Sequence, residues 1–160
     1  MTIQVGDPIP EAVLSYIDNG VHRIDTHTLF NGCKLVLFAV PGAFTPTCSE
    51  RHLPGFVAHF DDFRARGIEV ACMAVNDTFV MQAWGTAQQV PAGLKMLADG
   101  NADFTRALGL EMDASGYGMG VRSKRFALYA EAGIVRGLWV EAPGEFRVSS
   151  ADHVLASLPA

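Results

Sequence analysis

The chain has little charge and no long apolar run. Only 18% of its 160 residues are Asp, Glu, Lys or Arg, against 49% hydrophobic. That balance suits one substantial buried core in a chain too short to suggest two, so a single domain over 1–160 is expected. No stretch of about 18 uncharged apolar residues exists to span a bilayer. Basic side chains are scattered, apart from Arg122-Ser123-Lys124-Arg125, and the net charge is −5. This argues against nucleic acid as the main partner, and nothing marks a membrane surface. The start, MTIQVGDPIPEAV, has neither a basic leader nor an apolar signal core, so a soluble cytoplasmic protein is expected. Internal repeats, low-complexity tracts and linkers are lacking too.

Cysteine is scarce. Three of them in a chain with no sign of export do not make a disulfide framework, and each is judged by its surroundings. Cys72 lies in the apolar run GIEVACMAV, which reads as a strand buried on both faces, where cysteine acts as a small hydrophobe. Cys33 precedes the run KLVLFAV. At about 3.3 Å per residue the strand puts it on the order of 20 Å from Cys48, beyond the roughly 7 Å Cα separation a disulfide tolerates. Cys48 therefore has no obvious partner within the chain.

What is present alternates strand with helix. Asp18-Asn19-Gly20 is a turn signal between Val13–Tyr16 and Val21–Ile24, a small hairpin. Strand Lys34–Val40 follows, then a helix around Cys48 that continues from Val57 to Arg66 and stops at Gly67. Ile68–Val75 reads as the next buried strand, and Asn76-Asp77 can cap a helix from Thr78 to about Gln89, with Trp84 in the core. Leu94–Ala98 is a third strand, Asp103–Leu110 a short helix, Ser115–Gly120 a glycine-rich loop. Arg125–Ala130 and Ile134–Val140 form a hairpin, and Asp152–Leu158 a terminal helix. The pattern predicts an α/β domain with a mixed sheet.

The stretch that organises the rest is FAVPGAFTPTCSERHLPGF, Phe38 to Phe56. Thr47-Cys48-Ser49-Glu50 has the form of a capping box with Thr47 as N-cap. Cys48 would then be the first helical residue, where unpaired N–H groups and the helix dipole favour a thiolate. Pro54-Gly55 should bend or break this helix after barely two turns.

VPGAFTPTCSERHLPGF, NDTFVMQAW and GVRSKRFALY resemble the corresponding segments of peroxiredoxins, in particular the small type-II or type-V subfamily, over nearly the whole chain. The spacing P-x-x-x-T-x-x-C, here Pro41, Thr45 and Cys48, is far more specific than a lone cysteine. The resemblance implies a thioredoxin-like fold, with a mixed central sheet flanked by helices. It also implies reduction of hydrogen peroxide or organic hydroperoxides by a peroxidatic cysteine, and a homodimer packed through surfaces near the active site.

The residue chemistry agrees with that implication. A thiolate that attacks a peroxide O–O bond becomes a sulfenic acid, and negative charge develops on the departing oxygen, so donors are needed there. Cys48 would attack. Thr45 can turn its hydroxyl toward thiolate and peroxide, and the N–H groups of Thr47 and Cys48 point from the helix start at the same oxygen. Arg125 supplies permanent charge and forked donors, and Pro41, with no N–H, walls off the sulfur. The family assigns Pro41, Thr45, Cys48 and Arg125 to the site. Taken singly, Thr45 could instead stabilise a turn, and Arg125 could be a strand residue paired with a carboxylate. His52 lies four residues after Cys48 on the same helical face, and packing or hydrogen bonding is the favoured role over a metal site, which a Cys/His pair alone supports weakly. Arg122 reads as a salt-bridge residue, and Met119 or Tyr117 as candidates for an apolar rim. No metal, haem or flavin is called for.

The sequence departs from the type-V pattern where that subfamily carries a resolving cysteine before the last helix. Here the matching stretch, Glu145–Ser150, offers serines. A one-cysteine peroxidase is therefore expected, recycled by an external thiol, with glutathione and glutaredoxin favoured over thioredoxin. Dithiol exchange is excluded within the motif, because the residue three before Cys48 is Thr45. A redox sensor that uses Cys48 as a switch without efficient turnover is the alternative.

Overall fold

In the computed structural model, which describes residues 1–159, the Asp18–Gly20 turn joins strands β1 (Val13–Ile17) and β2 (Val21–Asp25). Asn19 and Gly20 both lie at positive φ, which these two residue types tolerate better than most. Asp25 then accepts a hydrogen bond from the Thr28 N–H and starts α1 (Thr26–Phe30). This helix is too short to show a 3.6-residue period, so the sequence pattern does not reveal it.

Two long apolar runs form the centre. β3 (Lys34–Val40) leads into the segment that carries Cys48, which continues as α2 (Leu53–Ala58) and α3 (Phe60–Ala65). β4 (Ile68–Ala74) follows, then α4 (Thr78–Ala87), capped by Asp77. β5 (Lys95–Ala98) and α5 (Asp103–Leu108) come next. β6 (Glu111–Asp113) and β7 (Val121–Ser123) make a small antiparallel ladder around the glycine-rich loop, a pairing the sequence reading leaves out. β8 (Phe126–Glu131), β9 (Ile134–Val140) and α6 (Ala151–Ser157), capped by Ser150, complete the chain. Arg125 stands just before β8 rather than inside it.

The main sheet runs β2-β1-β5-β4-β3-β8-β9. β3, β4 and β5 are parallel neighbours, while β1, β8 and β9 are antiparallel additions. This is the mixed sheet that the alternation implies, flanked by helices in the thioredoxin-like arrangement that the resemblance implies. The two-residue periodicity of a strand splits the core in two. Val36, Phe38, Val40, Val70, Cys72 and Ala74 face one layer with Phe56, Phe63 and Trp84, whereas Leu35, Leu37, Ala39, Ala71 and Met73 face the other with Phe30 and Phe104.

This topology decides where the chemistry collects. Parallel β3 and β4 end at the same edge of the sheet. β8 is antiparallel to β3, with Phe126 opposite Ala39, so its beginning lies at that edge too; β9 runs back and ends there, with Val140 opposite Phe126. The carboxyl ends of parallel strands are where open α/β sheets form their crevices. Residues 41–48, 76, 125 and 141, distant in sequence, are thereby brought together.

Candidate active site

The turn after β3 is pinned at both ends. Asn76, just past β4, accepts the Ala43 N–H through Oδ1 at 2.9 Å, and the Thr45 hydroxyl donates to the Gly42 carbonyl at 2.7 Å. Between them Phe44 lies at φ +64°, a left-handed conformation rare for an aromatic residue, with 55% of its surface exposed.

The helix begins earlier than the capping-box reading predicts. The Thr45 carbonyl already accepts the Ser49 N–H at 2.9 Å, so Thr45 stands at the N-cap, Pro46 at the first helical position and Cys48 two residues further in. Thr47 is helical (φ −64°, ψ −37°) and makes no side-chain cap. The physical reason is Pro46, whose fixed φ and missing N–H suit the first helical position. Thr47 and Cys48 remain in the first turn, whose N–H groups point out of the helix start.

Pro54-Gly55 does not break the helix. Cys48–His52 winds as a π-turn, with the Leu53 N–H bonded to the Cys48 carbonyl, and Pro54 sits in the first turn of α2, where no intrahelical donor is required. The interruption falls at His59 (φ −100°, ψ 9°) instead. Trp84 closes this segment from below, donating its indole N–H to the Ser49 hydroxyl at 2.9 Å.

Cys48 is fully buried, and the Arg125 guanidinium is aimed at it, Nη2 to Sγ 3.1 Å. No carboxylate stands within ion-pairing distance of Arg125 among the described residues. Its second nitrogen, Nη1, donates to His52 Nδ1 at 2.9 Å. Because a guanidinium can only donate, Nδ1 must be unprotonated; the imidazole proton is then on Nε2, which donates to the Ser149 carbonyl at 2.9 Å. His52 is fully buried among Phe38, Phe56 and Phe146, with ring centroids 5.0–5.6 Å away. Burial first, and the Arg125 charge second, push its pKa down to about 3. Both ring nitrogens are committed, so His52 is a hydrogen-bonding residue and has no lone pair left for a metal.

Pro41 is half-buried at the start of the turn. Arg122, read as a salt-bridge residue, instead holds loop carbonyls: its Nε donates to Met119 O at 2.8 Å, and Nη1 reaches 3.5 Å from Pro41 O. The Met119 methyl and Arg122 close over Gly42, where a Cβ would stand 3.2 Å and 3.1 Å from them. Tyr117 is 85% exposed and projects to solvent, so of the two rim candidates only Met119 packs against the turn. Cys72 is buried beneath the site, its thiol pushed well above the ordinary range by burial, and Cys33 sits half-buried at the opposite end of β3, its thiol raised to about 11 by burial and Glu69. All three cysteines are free. Asn76, read only as a helix cap, and Glu141, a single acidic residue after a strand, carry no sequence signal for a place near Cys48; only the strand order shows it.

An exposed turn, a buried sulfur under a guanidinium and a first helical turn of N–H groups meet at the end of β3, an arrangement suited to negative charge that develops on oxygen. The Redoxin family matches residues 4–155. The chain is 49% identical to Peroxiredoxin-2E-2, chloroplastic, of Oryza sativa subsp. japonica, over 98% of this chain and 73% of that one. It is 45% identical to Peroxiredoxin-2B of Arabidopsis thaliana, over 98% of both. The crystal structure of reduced Prx3 from Vibrio vulnificus in complex with H2O2 superposes with a TM-score of 0.94 at 50% identity, covering 98% of this chain and 99% of that one.

Proposed function

The chain belongs to the peroxiredoxins, thiol-dependent peroxidases of the redoxin family, and on that premise we propose that Cys48 is the peroxidatic nucleophile and that an external thiol returns it to the reduced state. The Cys48 thiolate attacks one oxygen of the hydroperoxide, the O–O bond breaks, and the departing alkoxide or hydroxide takes up a proton, leaving Cys48 as a sulfenic acid. Arg125 holds the thiolate and meets the peroxide. The Thr45 hydroxyl, whose proton goes to Gly42 O, offers its lone pairs to the peroxide O–H. The N–H groups of Thr47 and Cys48 face the charge that develops, and Pro41 shields the sulfur. The observation that carries this reading is the 3.1 Å contact between the Arg125 guanidinium and the buried Cys48 sulfur.

The cysteine inventory supports recycling by an external thiol. Ser149 and Ser150 stand where a resolving cysteine would, Cys33 is at the far end of β3 and Cys72 is held inside β4. The sulfur of glutathione then attacks the sulfenic sulfur, the S–O bond breaks and the departing hydroxide takes the glutathione thiol proton as water, leaving a mixed disulfide; a second thiol, delivered by glutaredoxin, releases Cys48 as the thiol with the oxidised pair. Steady-state turnover of hydrogen peroxide with glutathione and glutaredoxin, compared with thioredoxin and its reductase, tests this; a faster thioredoxin arm sinks the reductant assignment. Loss of turnover in Cys48→Ser is expected, whereas slow stoichiometric oxidation of the wild type would make Cys48 a redox switch. A homodimer is also proposed, supported by the exposed Phe44 and Phe79 (55% and 68%) on the two segments that the Ala43–Asn76 hydrogen bond joins; sedimentation of Phe44→Ser as a monomer is the expected result.

A further inference from the structure

A buried carboxylate stands behind the residues just assigned. Glu141, one residue past β9, is 6% exposed, and its own N–H donates to the Arg125 carbonyl at 2.9 Å. Its side chain accepts the N–H groups of Arg147, Val148 and Ser149 and the Ser149 hydroxyl, all at 2.7–2.9 Å. Burial alone raises the carboxyl, but the Ser149 hydroxyl and the three backbone donors outweigh it and hold it below the ordinary carboxylate range, so it is an anion at neutral pH.

Those bonds fold the 142–149 loop back onto the site. Ser149 is fully buried, and its carbonyl receives the His52 Nε2 proton. With the proton there, Nδ1 is free to accept from Arg125. If the proton moved to Nδ1, two donors would face each other and the guanidinium would have to withdraw from Cys48. The same loop carries Phe146, which packs edge-on against His52 at 5.0 Å and under Arg125 at 5.8 Å. The charged groups around this network are Arg125 before β8, Glu141 after β9 and Arg51, whose guanidinium lies 4.7 Å over Phe146; Glu145 and Arg147 are exposed on the loop and lie 3.6 Å from each other.

We propose that Glu141 is a positioning residue of the peroxide site: by holding Ser149 it fixes the His52 tautomer, which in turn aims Arg125 at Cys48. The inference rests on the reading of Cys48 as the reacting thiol, and it assigns the stretch without a resolving cysteine a second role, as the clamp of the site.

Two other roles for Glu141 give different results. As a mere charge, the anion would offset Arg125 and work against the thiolate, so its removal would make Cys48 ionise more readily. As a mere loop fastener, it would leave Cys48 unchanged. The test is Glu141→Gln, read by the pH dependence of Cys48 alkylation by iodoacetamide, with the site assigned by mass spectrometry, and by kcat/KM for hydrogen peroxide. The expected result is an alkylation midpoint about one pH unit higher and a kcat/KM about tenfold lower near neutral pH, one unit being a tenfold change in thiolate. Ser149→Ala, which removes one hydrogen bond and no charge, moves both the same way by about threefold and carries the test if Glu141→Gln does not fold. His52→Asn, whose Oδ1 can stand where Nδ1 does, keeps most of the wild-type profile while His52→Phe loses it. Glu141→Gln adds nothing in the His52→Phe background, because the two act in series. An unchanged or lowered midpoint in Glu141→Gln, or additive effects in the double variant, would overturn the proposal. Alkylation reads Cys48 without turnover, so an inactive wild type would remove the peroxidase reading and leave this result legible.

Discussion

Acid should weaken this fold through one side chain in particular. His52 is fully buried, and its imidazole is held neutral down to about pH 3 by burial and by Arg125, whereas an imidazole in the unfolded chain takes up its proton near pH 6.5. Between those two values the unfolded state binds a proton that the folded state refuses, so stability is fully present above about pH 6.5 and falls as the pH drops below it. The limiting slope is about 1.4 kcal/mol per pH unit. From pH 6.5 to 4.5 this single group should therefore cost about 2–3 kcal/mol, a large part of the 5–15 kcal/mol typical of a folded domain. The perturbation that isolates it is His52→Asn, which retains an acceptor for Arg125 and does not titrate. Guanidinium chloride unfolding of reduced wild type and variant at pH 7.5, 6.5, 5.5 and 4.5 gives two stability curves. Asp25, Asp113 and Glu141, whose carboxyls hydrogen bonds hold low, are common to both and largely cancel in the difference. The wild-type advantage should shrink steadily below pH 6.5. Curves that stay parallel from pH 7.5 to 4.5 would refute the reasoning, because they would mean that the folded and unfolded chains bind protons at His52 alike.

Three further outcomes are expected. Iodoacetamide at pH 7.5 should label Cys48 well before the others, because its sulfur alone of the three accepts from a guanidinium, which offsets its burial. Burial and Glu69 raise the Cys33 thiol to about 11, leaving roughly one molecule in three thousand ionised, and burial puts the Cys72 thiol well above 9 inside β4; equal labelling of Cys33 would contradict this. Phe56→Ala should cost about 3–5 kcal/mol, since the ring is fully buried and stacks between Phe38 at 4.0 Å and Phe63 at 5.6 Å, and a loss under 1 kcal/mol in denaturant unfolding would show that the helix closes over the gap. Gly109→Ala should cost at least about 2 kcal/mol, because Gly109 lies at φ +72° and its new Cβ would press on the backbone of Met1 and Thr2, 2.8 Å from Thr2 Cα; a thermal midpoint equal to the wild type would show that the N-terminal segment gives way.

Much of the architecture is legible in the residues because it is local. Apolar runs of strand length at Lys34–Val40 and Ile68–Val75 and the turn residues Asp18–Gly20 place the elements to within a residue. The P-x-x-x-T-x-x-C spacing keeps Pro41, Thr45 and Cys48 within eight residues, and the turn residues Pro41-Gly42 and Pro46 between strand and helix hold that stretch compact. Features that depend on competing local preferences are misread: a threonine and a glutamate at capping distance point to Thr47, but Pro46 fits the first helical position better and moves the cap to Thr45. Pro54 signals a break, yet a π-turn ahead of it absorbs the missing donor.

The amino-acid sequence alone determined that a cysteine stands where a strand passes into a helix, with a threonine and a proline in the same segment, an arginine downstream and serines in the Glu145–Ser150 stretch. Only the tertiary structure decided that Arg125 reaches that sulfur, that His52 holds Arg125 and that Glu141 and Ser149 hold His52. Strand order is the reason: antiparallel β8 and β9 return their ends to the edge where β3 stops, and hydrogen bonds between residues 73 to 97 positions apart leave no periodicity in the chain from which they could be read.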